Sequence, residues 1–189
     1  RGWVGGEKIR NPKSEIRNSA IMTALDIDVI APEAISGIRV MPVLHERVEL
    51  APIVRQALEK LQPQVVAVEL PTTLADAAEK AVARLPKISA VISEEPGEDA
   101  LVWVVTPGDP MVEAMRWAAE NARRVLLVDP DLRYGHRRHD LLPEPHSLHQ
   151  NAPESYVELI RQLAGSAPYA ERDTLREQGI VNNLLQATE

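Results

Sequence analysis

The chain has 189 residues, 44% of them hydrophobic, enough for one domain of ordinary size with a real core. It has no cysteine, no phenylalanine, 3% aromatic residues and a formal net charge of -7, which excludes disulfide frameworks, thiolate metal sites and cysteine nucleophiles and argues against nucleic acid as a partner. No apolar run approaches the roughly 20 residues that span a bilayer, so the expectation is a soluble, cytoplasmic protein with no membrane partner.

Residues 1–21 carry Arg1, Lys8, Arg10, Lys13 and Arg17 against Glu7 and Glu15, a balance of +3 that leaves -10 for the remainder. Ile9-Arg10-Asn11 recurs as Ile16-Arg17-Asn18, with too few apolar residues nearby to pack. The stretch reads as a non-native or disordered leader, with Met22 as the native start and residues 22–189 as a single α/β domain.

Beyond it, apolar residues 38–44 predict a strand, and Leu50, Ile53, Val54, Ala57, Leu58 and Leu61 fall at helical spacing, with Pro52 tolerated in the first turn. Residues 65–69 read as a buried strand, and Leu74, Ala77, Ala78, Ala81, Val82 and Leu85 as a second helical stripe. Strand-like runs follow at 88–92 and 101–105, separated by an acidic loop. Asp109-Pro110 then opens a helix as cap and first-turn proline, with Met111, Met115 and Ala118 inward. After a strand at 125–128 come two helical segments, near 154–164 and 170–187. The last reaches Glu189 without a glycine stop or a further strand, so the domain is expected to be incomplete at its C-terminus. Short strands alternating with amphipathic helices predict an α/β fold with a mostly parallel sheet flanked by helices, and no second core.

Ligands of open parallel sheets lie at the carboxyl ends of the strands. Three predicted strands end there in ionisable groups: His45 followed by Glu46, Glu69, and Asp129 with Asp131 two residues on. One imidazole and two or three carboxylates at one edge could bind a divalent metal or activate a water. His45 could equally hydrogen-bond a loop, and Asp129 before Pro130 could simply end a strand. Glu69 continues an apolar run, where a carboxylate is costly unless paired. Its pKa would rise with burial or fall beside a cation. Phosphate-binding glycine loops, the G-x-S-x-G elbow and H-E-x-x-H are all missing.

Residues 135–149 hold His136, His139, His146 and His149. Pro143 and Pro145 prevent one helix from presenting all four, and Arg137 and Arg138 place positive charge where a cation would sit. The run reads as a surface loop or a loop covering the site. His136 and His139, three apart, could share a metal on one helical turn, as could His146 and His149, and the first pair could add to His45, Glu69 and Asp131 as metal ligands.

The succession VMPVLH, a helix and QPQVVAVEL resembles the opening of the TraB and Tiki proteins and their ChaN-like and erythromycin-esterase-like relatives. EAMRWAAENARRVLLVDPDLR resembles their helix leading to a strand that ends in aspartate, and ERDTLREQGIVNNLL their E-R-D helix. The resemblance covers the N-terminal part of that fold. It implies a metal-dependent hydrolase, peptidase- or esterase-like, acting on a small molecule or peptide, with His45 and Glu69 in the centre and Asp129 as a weaker match. The chain departs from the pattern in three places. Pro42 stands where relatives have the glycine of glycine-x-x-histidine, Pro71-Thr72-Thr73 replace the region of an arginine anion clamp, and no second glycine-x-x-histidine precedes Glu189. The alternatives are a non-catalytic binding or regulatory module and a truncated, inactive fragment.

Overall fold

A computed structural model describes residues 25–35, 37–94, 100–132, 141–144, 148, 152–164 and 171–187. The chain folds into an α/β structure whose centre is a parallel pair of strands flanked by helices. A short helix α1 (Ile27–Ile30) leads into an antiparallel hairpin of β1 (Glu33–Ile35) and β2 (Ile38–Arg39). The strand predicted at 38–44 is thus only two residues long, and residues 40–44 reach His45 outside any ladder. The alternation needed for a half-buried strand is broken there by Pro42, which has no N–H for a ladder.

Helix α2 (Ala51–Leu61) carries Pro52 in its first turn and closes on Gln62, whose left-handed backbone lets its N–H reach the carbonyl of Leu58. Strand β3 (Val65–Pro71) then buries Val66, Val68 and Leu70 on one face and turns Ala67 and Glu69 outward. A 3-10 turn (Thr72–Leu74) and α3 (Ala75–Val82) follow. Strands β4 (Ser89–Ser93) and β5 (Leu101–Val105) pair with each other antiparallel, rather than extending the parallel sheet.

Helix α4 (Pro110–Glu120) packs on β3, on α2 and on β6 (Arg124–Asp129). It contributes Met111, Val112, Ala114, Met115, Trp117 and Ala118 to the main core. Most positions of α4, Pro110 to Met115 with Trp117 and Ala118, are buried because the helix is covered on more than one side. Glu113 is buried as well, and is held by Arg55 of α2 and Arg116 of its own helix.

Helices α5 (Pro153–Leu163) and α6 (Glu171–Gln186) complete the described elements, close to their expected positions. Tyr156, Val157 and Ile160 of α5 join Leu25, Ile30, Ala31, Leu50, Ile53 and Ala57 in a second core cluster that the sequence does not announce. Met41 and Val43 pack against both clusters, and α2 supplies Val54 to one and Ile53 to the other. The non-ladder segment before His45 is thereby fixed between two cores. Among the described residues no helix is long and apolar enough to cross a membrane.

Candidate functional site

The carboxyl ends of β3 and β6 lie side by side, with Val68 opposite Leu127 and Pro71 opposite Asp129. Three steps along β3 match two along β6, so the extra residue falls at Glu69–Leu70. An irregularity of this kind re-aims a side chain at the end of a ladder. Glu69 points away from the core and its side chain is 52% exposed, which corrects the expectation of a carboxylate inside an apolar run. The side chains alternate, and Glu69 shares its face with Ala67 rather than with the buried Val66 and Val68.

Asp129, at the end of β6, is buried at 6% exposure. Its charge is met by Arg176 of α6: Nε and Nη2 both donate to Oδ2, at 3.0 and 2.6 Å. The same Nη2 reaches Oε1 of Glu69 at 2.8 Å, so one guanidinium bridges two of the expected site carboxylates. The Arg176 side chain titrates above its usual range; burial opposes this, and Asp129 and Glu69 outweigh burial. A guanidinium from α6 thus lies beside the end of β3, engaged with carboxylates rather than open to an anion. Asp131 turns back, donating its N–H to Oδ1 of Asp129 at 3.3 Å and accepting from the hydroxyl of Thr73 at 2.5 Å.

His45 sits in a tight turn at the entry to α2. Its Nδ1 lies 3.6 Å from Oδ2 of Asp109, an ion-pair contact longer than a hydrogen bond. Asp109 is only 2% exposed and is rigidly held. Oδ1 accepts from the N–H groups of Met111 and Val112 as the cap of α4, while Oδ2 accepts from the N–H of Glu46 at 3.0 Å. The His45 imidazole titrates above its ordinary value of 6.5, chiefly through Asp109; partial burial opposes this, and the negative fields of Glu69 and Glu46 add to it. Burial raises the Asp109 carboxyl, but His45 and the N–H groups of Glu46 and Val112 outweigh it and hold the carboxyl below its ordinary value.

Two residues beside these groups, Glu46 and Asp131, have left-handed backbones, with φ of 59° and 58°. The structure thus places His45 in the field of Glu69 and links Glu69 to Asp129 through Arg176. His136, His139, His146 and His149 lie outside the described residues. Among the described residues no group of three or more His, Cys, Asp or Glu side chains is placed to hold a metal ion. The described donors alone do not make a metal centre, because Arg176 holds a positive charge on both Glu69 and Asp129 and Thr73 engages Asp131. A divalent ion at Glu69 and His45 would first have to displace that guanidinium.

No family model, curated protein or solved structure matches the chain. The TraB and Tiki likeness rests on the sequence motifs alone. Two residues of the site are not legible as such from those motifs. Asp109 reads only as a helix cap, and its second partner is 63 positions away. Arg176 belongs to a polar stripe with Gly179 and Asn183, and that spacing on a helix facing a sheet is the signal that could have marked it.

Proposed function

We propose that this chain is a hydrolase-like domain acting on an ester or amide bond in a small molecule or peptide, with His45 as its proton-transfer group. The observation that carries the proposal is the contact of His45 with a buried, immobilised Asp109. A carboxylate 3.6 Å from Nδ1 attracts the protonated imidazole and leaves Nε2 to exchange protons with water or a leaving group. The elevated pKa favours the imidazolium, the form that donates to a departing alcohol or amine. Glu69 supplies a carboxylate in the field of His45, and Asp129 fixes Arg176 beside it. The TraB likeness implies a divalent metal, whose ligands would have to include groups besides Glu69 and Asp129 while Arg176 pairs with both.

Full-length protein is to be assayed with p-nitrophenyl acetate and alanine p-nitroanilide, with added zinc or manganese and with a chelator. His45→Ala is expected to lower turnover by about 100-fold or more, and equal turnover in wild type and His45→Ala would overturn the proposal. Metal content is measured on the same samples. Stoichiometric metal lost in both His45→Ala and Glu69→Ala supports the metal-dependent form, and intact loading in either variant removes that residue as a ligand. The Arg176 bridge favours one second reading, a non-catalytic binding or regulatory module using the same edge. That reading predicts no turnover of either substrate under any metal condition.

A further inference from the structure

Helix α6 is 16 residues long, yet neither hydrophobic core cluster contains any of its residues. Leu175 and Val181 are exposed, while Ile180 and Leu184 are half-buried. The contacts that tie the helix to the carboxyl edge of the strands are polar or close-packed. Arg176 bridges Glu69 and Asp129, the Asn183 amide donates to the carbonyl of Val128 at 2.9 Å, and Gly179 lies against Pro130. A Cβ at position 179 would stand 2.6 Å from Cγ of Pro130, so only glycine permits this approach. By contrast α4 is anchored by six buried apolar side chains.

Apolar burial is what makes an element open only with the whole fold, whereas an element held by a few half-exposed polar contacts opens on its own. The Arg176 side chain is 42% exposed, and its ion pairs are open to screening by salt. We propose that α6 is a latch on the carboxyl edge of the parallel pair, engaging and releasing as a unit, with Arg176 as the bolt that joins Glu69 to Asp129. As regulation of the edge assigned above to catalysis, this rests on that assignment. With the latch closed, the charge of Glu69 is taken up by Arg176; with it open, Glu69 stands as a free carboxylate in the field of His45. The latch decides when the edge is available and when the Glu69 carboxylate is released from Arg176.

Amide hydrogen exchange on the full chain tests this. In wild type, α6 amides are expected to exchange faster than those of α4, and faster still at high salt. In Arg176→Gln, protection of α6 should fall by about tenfold, the scale of one charge-assisted hydrogen bond, with α4 unchanged. Gly179→Val, which alters no charge, should loosen α6 in the same way. Since Arg176→Gln leaves the buried Asp129 unpaired, the double variant Asp129→Asn/Arg176→Gln removes the orphaned charge and should keep the fold while leaving α6 loose. Protection of α6 equal to that of α4 in wild type would overturn the latch, as would a loss shared equally by α4 in the double variant. Exchange reports on the helix whether or not a substrate is turned over, so a failed latch and a failed hydrolase assay are separate results.

Discussion

Replacing Trp117 with alanine is expected to destabilise the fold by about 3–5 kcal/mol, the range for emptying a fully buried aromatic site. Trp117 is 1% exposed and lies in the main core with Val112, Met115 and Ala118 of its own helix. The helix it anchors carries Asp109 at its amino end and packs on both strands of the parallel pair. Loosening it therefore weakens the core and the support of His45 together. Chemical denaturation with urea measures the loss, and a change below about 1 kcal/mol would mean that the site can collapse around the missing ring.

Asp109→Ala is the second large effect. It removes the cap of α4 and the acceptor for the N–H of Glu46, together worth about 2–3 kcal/mol, and it takes away the main cause of the elevated His45 pKa. Asp109→Asn separates the two roles. Asparagine caps a helix about as well as aspartate, so stability should change little while the His45 pKa, followed by NMR, falls. An unchanged His45 pKa in Asp109→Asn would show that the ion pair does not form in solution.

The signs of the pH dependence follow from the two directions. His45 is raised, so its contribution to stability is fully present below 6.5 and is lost as pH rises through its folded value. Asp109 is lowered, so its contribution is present above 3.8 and is lost as pH falls through its folded value. The pair is intact only between those limits. Because the His45 side chain is 55% exposed, the effect on stability is small and the NMR titration is the sharper reading.

How far the sequence reveals this arrangement depends on whether the determinant is local. The helical stripes of α2 and α4 and the Asp109-Pro110 start are set by period and by capping within a few residues, and they stand where expected. The α/β class follows from the same alternation. The direction of β4 and β5 does not, since an apolar run specifies burial and says nothing about which neighbour it pairs with. Glu69 was legible in principle: Val66, Val68 and Leu70 share one face, and the small Ala67 on the other face marks the side that α4 does not cover. The bridge from Arg176 to Glu69 and Asp129 joins positions 107 and 47 apart in sequence, and no local rule specifies it. The second cluster is hidden for the same reason, because Tyr156 and Ile30 become neighbours only when α5 docks on α1.

The left-handed backbones at Glu46 and Asp131 carry a consequence for how this protein can evolve. A side chain held in that region costs about 1–2 kcal/mol relative to ordinary backbone, and glycine adopts it freely. Both positions adjoin the residues assigned to function, one next to His45 and one just past Asp129. Selection for heat resistance alone would drift toward glycine at these turns, exchanging a carboxylate beside the histidine for a more comfortable chain. Gln62 and Ala122 carry the same backbone at the ends of α2 and α4, so at Glu46 and Asp131 it is the carboxylates beside His45 and Asp129 that such a drift would remove.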